Sequence, residues 1–414
     1  MLNKYERSWI LQDFGNSAYS IVITTAILPV FFKQVAANNM ADNISTAYWG
    51  YANALATLII SILAPFLGTI ADYKGYKKKF FTCFLLIGVI STALLATVSE
   101  GNWLMCLAIY IFTTIGFSGS NIFYDSFLTD VTENSKMDKV SSYGYAWGYI
   151  GGTIPFLICI LIITNASSLG ISTIFATQLS FLITSIWWLL FSFPILRNVN
   201  QKYYIDDDPK TIIKELKKLW IALKKLKNNR NVFLFLLAFF FYIDGVHTVF
   251  TMATAYGIDI GIDSNTIMKI LVVIQIVAFP FAILYGILAK KFSTKTMILI
   301  GIITYTIVSI YAFFIKTQFD FWILSILVAS AQGGIQALSR SFYGKIIPKE
   351  NSAEYFGIYN IFGRISAVIG PLLIGIIGTI TGSSKYGILS LVILFFIGGF
   401  LFLKVKNDNS EISI

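Results

Sequence analysis

The stretch 68-GTIADYKGYKKK-79 is a polar turn between two apolar runs, 46–70 before it and 80–99 after it. Gly68 and Gly75 permit a tight reversal and a close approach of two helices. Asp72 is placed to accept hydrogen bonds from backbone or basic groups, and Lys74 and Lys77–Lys79 keep the turn in water. A run of about 20 apolar residues is long enough to cross a bilayer core of about 30 Å. The stretch therefore reads as a short basic loop joining two membrane-spanning helices.

The rest of the 414 residues has the same character. They are 56% hydrophobic and only 13% charged, against about 25% charged in soluble domains. A set of soluble domains is excluded, and an integral membrane protein is expected. Twelve apolar windows appear, at 14–37, 46–70, 80–99, 103–129, 141–165, 173–196, 231–256, 265–289, 296–316, 321–344, 354–381 and 385–404. Short turns join most of them; the exception is 197–230, between windows six and seven. The expected organisation is two six-helix halves, 1–196 and 231–414, with a linker over 197–230. No cleavable leader is expected, because Met1 to Glu6 is short and polar and the apolar stretch after it is too long.

Lysine and arginine placement sets the expected orientation. Assigning alternate loops to the cytoplasm puts 25 of the 31 Lys and Arg there, ten of them between Arg197 and Arg230. The opposite face receives only Lys33, Lys269, Lys316 and Lys385. Both termini are therefore expected in the cytoplasm. The net charge of +10 belongs to these loops and does not indicate nucleic acid. In the linker, Asp208-Pro209 reads as a helix N-cap followed by proline. Ile212, Ile213, Leu216, Leu219, Trp220, Leu223 and Leu226 then recur at helical spacing, with lysines on the other face. A basic amphipathic helix over 209–227 on anionic inner-leaflet lipids is expected; a partner-binding helix or a solvated linker helix is the alternative.

The two halves echo each other. FYDSFLTDVTENS at the end of window four and LSRSFYGKIIPKENS at the end of window ten align Ser126 with Ser341 and Asp125 with Arg340. Such repeats are typical of secondary transporters.

Gly68, Asp72, Gly75 and Lys77 resemble the Gly-x3-Asp-x2-Gly-x-Lys/Arg signature of the major facilitator superfamily. The corresponding loop 286-GILAKKFSTKT-296 keeps Gly286 and the lysines but lacks the aspartate and the second glycine. Three further stretches, 13-DFGNSAYSIVITTAILPVFF-32, 242-YIDGVHTV-249 and 332-QGGIQALSRSFYGKIIPKENSAEYFGIYNIFGRISAVIGPLL-373, look like the vacuole-effluxer-like, autophagy-associated branch of that superfamily. The resemblance covers the whole chain. It implies an all-α fold of twelve transmembrane helices in two pseudo-symmetric halves, with the first helix of each half lining a central cavity. Fungal members are described as vacuolar amino-acid exporters. The basic loops and the lack of long terminal extensions fit a bacterial plasma-membrane member.

A charge at mid-bilayer costs roughly 2.5–3.5 kcal/mol on insertion scales, so it usually faces a cavity or a partner. Asp244 lies about 20 Å into window seven at 1.5 Å per residue, with His247, the single histidine, one turn on. These two read as a protonation site, or else as a buried packing network. Asp244-Gly245 belongs to the pattern of the resembled branch; His247 does not. Asn16 and Tyr19 form a polar stripe with Asp13 on window one, and Asn121 and Asp125 lie on window four. Gln332, Gln336 and Arg340 recur every four residues on one face of window ten; Asn360 and Arg364 lie within window eleven. Asn16, Tyr19, Asn121, Gln332, Gln336 and Asn360 are substrate-contact candidates. Asp125 with Arg340 or Arg364 is a candidate inner-gate ion pair, unless each arginine pairs within its own half.

Cys83, Cys106 and Cys159 stand singly in apolar segments, and no metal-ligand spacing, Walker loop, HExxH or GxSxG is present. Neither cofactor, metal nor enzymatic chemistry is expected, which leaves ion gradients as the energy source. The leading expectation is a monomeric secondary transporter exporting amino acids or a related small metabolite with protons. An amphiphile or drug exporter, a lipid scramblase or a non-transporting membrane protein are the alternatives.

Overall fold

The computed structural model describes residues 2–207, 229–259, 261–262 and 264–406. Among them, twelve helices are long and apolar enough to cross a membrane. We number them α1 (Lys4–Ala36), α2 (Ile44–Ala71), α3 (Tyr76–Thr97), α4 (Trp103–Val131), α5 (Asn134–Thr164), α6 (Thr173–Asn198), α7 (Arg230–Ala253), α8 (Lys269–Phe292), α9 (Thr294–Phe314), α10 (Gln318–Ile346), α11 (Lys349–Thr381) and α12 (Lys385–Leu403). All twelve apolar windows fall on these helices. The linker helix expected over 209–227 lies outside the described residues.

α1 starts well before the hydrophobic window that announces it. Asn3 and Glu6 form a reciprocal cap: the Asn3 side chain accepts from Glu6 N at 2.8 Å, and Glu6 Oε2 accepts from Asn3 N at 2.7 Å. Two orphan donors of the first turn are thereby satisfied, and Trp9 is buried on the turn they support. Further along, α1 widens into π-helical turns at Ser20–Ala26 and Phe32–Ala36, on either side of Pro29. Pro29 has no N–H to give the Thr25 carbonyl, which falls in the first of these turns.

The chain groups into two compact units. The first holds α1–α4, α5 from Trp147, α6, and the start of α11, Lys349–Gly357. The second holds the start of α5, Thr132–Ala146, with α7–α10, α11 from Ile358, and α12. The boundary therefore runs through two helices, where the sequence suggested a cut only at the linker. In the first unit the closest helix pairs are α3 with α4, α1 with α6 and α2 with α4. In the second they are α9 with α10, α7 with α12 and α8 with α10. The same pairs recur six helices later, so the packing itself is duplicated. Small residues permit these approaches: Gly116 lies directly on the Gly88 backbone, and a Cβ on Gly301 would meet Ile335 at 3.0 Å.

Candidate functional sites

The loop between α2 and α3 is a built site. Gly75 takes φ +77°, a left-handed conformation that favours glycine. Gly68 lets the chain pass so close that a Cβ there would meet the Ala353 carbonyl oxygen at 2.7 Å. That approach brings Asp72, fully buried, onto the start of the helix Ser352–Ser366. Its Oδ1 accepts from Ala353 N at 2.9 Å and its Oδ2 from Glu354 N at 3.0 Å. The carboxylate thus satisfies two orphan donors at the positive end of a helix dipole. Burial nevertheless pushes the Asp72 carboxyl up to about 8, against the opposing pull of Lys77 and the two backbone donors.

Lys77, also fully buried, donates to Asp130 Oδ2 at 2.7 Å and to Ser352 Oγ at 2.8 Å. The other Asp130 oxygen accepts from the backbone N–H groups of Lys202 and Tyr203 at 2.8 and 2.9 Å. Gln201 closes the arrangement by accepting from Gly75 N and donating to the Ala71 and Asp72 carbonyls. Ile205 N donates to the Asp72 carbonyl at 2.8 Å. The segment leaving α6 is therefore tied to the same loop that caps α11. The sequence marked Gly68, Asp72 and Gly75 but not this strap, because Gln201 carries no pattern of its own.

The second unit builds its counterpart from different residues. Gly286 and Ser293 stand seven residues apart, as Gly68 and Gly75 do. Ser293 also takes a positive φ, +76°, although it is not glycine. The carboxylate absent from this loop comes from Asp138 on α5. Its Oδ2 accepts from Thr294 Oγ1 at 2.7 Å and Lys345 Nζ at 2.8 Å, and its Oδ1 from Ser341 Oγ at 2.6 Å. Beside it, Arg340 donates from Nε to Ser141 Oγ at 3.0 Å and from Nη2 to the Ser141 carbonyl at 3.2 Å, with its guanidinium 4.5 Å over the Tyr145 ring.

Deeper in the first unit, Asn16 Nδ2 donates to Asn121 Oδ1 at 2.7 Å, joining two candidates proposed from sequence. The Tyr19 hydroxyl lies 3.3 Å from Thr114 Oγ1, and Trp9 Nε1 donates to the Tyr124 carbonyl at 2.9 Å. Gln12, one turn before Asn16, is fully buried with neither amide atom hydrogen-bonded. Sequence reading passed over it, although its i, i+4 spacing to Asn16 puts it on the same stripe.

In the second unit, Asp244 is fully buried on α7. Its Oδ1 accepts from Gly370 N at 3.1 Å and from Thr248 Oγ1 at 3.3 Å, and its Oδ2 has no hydrogen-bond partner. No ion pair involves it among the described residues. His247 is one turn on, and Arg364 is close enough to act on it electrostatically. Tyr242, on the same helix, is 2.7 Å from Ser339 Oγ. Gln332 is buried with an unpartnered Oε1, whereas Gln336 and Asn360 are partly exposed. Among the described residues no group of three His, Cys, Asp or Glu is placed to hold a metal ion.

The family model for vacuole effluxer Atg22-like proteins matches residues 40–137 and 129–413. The chain is 50% identical over 410 residues to the "Uncharacterized MFS-type transporter YxiO" of Bacillus subtilis (strain 168), covering 98% of this chain and 96% of that one. It is 23% identical to Autophagy-related protein 22 of Coccidioides immitis (strain RS), over 91% of this chain and 76% of the relative. Two solved structures share the fold. The major facilitator transporter FucP, in the outward conformation, has a TM-score of 0.76 at 14% identity, covering 98% of this chain and 100% of its own. The proton:xylose symporter XylE has a TM-score of 0.74 at 12% identity, over 98% and 96%. With twelve spans, a capped loop 2–3 and a duplicated packing plan, this chain is a multi-pass membrane transporter that belongs to the vacuole effluxer Atg22-like family of the major facilitator superfamily.

Proposed function

We propose that the protein is a proton-coupled exporter of amino acids or related small metabolites, working by alternating access. The observation that carries this reading is Asp244, a fully buried carboxylate with one unpartnered oxygen and no ion-pair partner among the described residues. A carboxylate in an apolar span is costly unless it is used, and its unpartnered oxygen is a place where a proton can be taken up and released. His247 tunes the site from one turn away. Asn16 and Tyr19 on the first helix of one half, and Gln332, Gln336 and Asn360 in the other, offer the amide and hydroxyl groups that a zwitterion requires. The amino-acid class rests on the family resemblance, and export on the family's character as vacuole effluxers. The excess of Lys and Arg on alternate loops supports a plasma-membrane protein with both termini in the cytoplasm.

Purified protein in proteoliposomes, loaded with single amino acids, tests the reading. Flux that follows an imposed pH gradient and disappears in Asp244→Asn, with thermal stability retained, is the expected result. Flux indifferent to the gradient removes the proton; movement of dyes or lipid in place of amino acids favours an amphiphile exporter or a scramblase.

A further inference from the structure

α11 is broken. It runs as one helix over Ser352–Ser366, turns at Ala367 and Val368, and resumes over Ile369–Thr381. The chemistry of the break is local. Pro371 has no N–H to give the Ala367 carbonyl, and its ring crowds that carbonyl. Within a membrane each freed backbone group needs a new partner. The Gly370 N–H finds one on another helix, donating to Asp244 Oδ1 at 3.1 Å. The fit is close enough that a Cβ on Gly370 would overlap Thr248 Oγ1, so the position needs glycine. Asp244 thus faces the break with one oxygen occupied and the other, Oδ2, buried and unpartnered.

Several ionisable groups on the helices packed around α7 have contacts of their own. Tyr305 of α9 stacks on Phe395, Arg340 of α10 bonds Ser141, and Lys385 of α12 donates to the Ile315 carbonyl. Tyr285 of α8 packs against Gly334, and Arg364 of α11 acts on His247. On α7 itself, Tyr242 is bonded to Ser339.

We propose that Asp244 is the clasp of this break: as a carboxylate it holds the Gly370 N–H and keeps α11 in two pieces, and a proton on Oδ2 loosens that hold. The charge-assisted hydrogen bond becomes an ordinary one, about half as strong, and residues 367–371 are released to move. Asp244 then acts as a positioning residue for α11 as well as a proton site. This rests on the proton-coupled reading above, but its test does not use flux.

Hydrogen–deuterium exchange by mass spectrometry, on full-length protein in nanodiscs, reads the amides of 365–373 at two pH values. Each wild-type rate is divided by that of Asp244→Asn at the same pH, which cancels the intrinsic pH dependence of exchange. At high pH the variant should exchange roughly three- to tenfold faster than wild type, the size of the difference between a charge-assisted and an ordinary hydrogen bond, and at low pH the two should converge. Pro371→Ala, which restores an N–H and a continuous helix, should abolish the difference. Equal rates in wild type and Asp244→Asn at high pH, or a difference untouched by Pro371→Ala, overturn the clasp. Proton-driven flux with unaltered exchange would remove the clasp and leave coupling at Asp244. Altered exchange with flux indifferent to pH would keep the clasp and remove the coupling.

Discussion

The Lys77 ammonium lies 2.7 Å from the Asp130 carboxylate, and neither side chain is exposed. The second unit has its own pair, Lys345 with Asp138 at 2.8 Å. Lys345 follows Ser341 by four residues, as Asp130 follows Ser126, so the two occupy matching places in the internal repeat with opposite charge. Each unit thus ties the end of its fourth helix to an opposite charge, but from non-corresponding helices: Lys77 on α3 in one and Asp138 on α5 in the other.

Removing one partner of a buried pair leaves the other charge uncompensated. Asp130→Asn should therefore destabilise the protein by about 3–5 kcal/mol, read as a fall in Tm of the purified protein. Lys77→Met combined with Asp130→Asn should lose less than Asp130→Asn alone, since no orphaned ammonium remains. A double variant as unstable as the sum of its parts would show that the two groups are not coupled.

Asp72 makes a pH prediction. Its folded carboxyl is raised from 3.8 to about 8 by burial. A group held protonated by folding contributes stability that is complete below its unfolded value and lost as pH rises through the folded one. Wild-type Tm, taken relative to Asp72→Asn at the same pH, should fall between about pH 4 and about pH 8. A difference that stays flat across that window rules out titration of Asp72 as its source.

Ser293 sits at φ 76°, ψ 149°, in a region occupied essentially by glycine, at a cost of about 1–3 kcal/mol. It also caps α9, its hydroxyl accepting from Thr296 N at 3.2 Å, and replacing such a cap by glycine costs only a few tenths of a kcal/mol. Ser293→Gly should therefore raise Tm. A lower Tm would mean that the cap outweighs the strain.

The proposed inner gate of Asp125 with Arg340 is tested by exchanging the charges. Asp125→Arg and Arg340→Asp should each lose flux, and the double exchange should restore part of it. No recovery in the double variant would dismiss the pair. Because Arg340 also bonds Ser141 and lies over Tyr145, Tm of each single variant separates lost gating from lost packing.

Hydrophobic length acts locally, residue by residue, so the twelve spans were legible in the chain. So were Gly68, Asp72 and Gly75, whose spacing carries its own chemistry, and the anomaly of Asp244. The start of α1 was not, because Asn3 with Glu6 stabilises a turn that hydropathy does not register. The partners of the charged groups were hidden as well. Asp72 reaches Ala353 and Glu354, Lys77 reaches Asp130 and Ser352, and Asp138 reaches Thr294 and Lys345. These bonds join residues 53 to 282 positions apart. Such pairings depend on how the helices pack, and single-chain periodicity carries no record of it. The break in α11 was hidden too: the apolar window 354–381 runs straight through it, and that Asp244 receives the Gly370 N–H follows only from the approach of α7 to α11, close enough to exclude a Cβ.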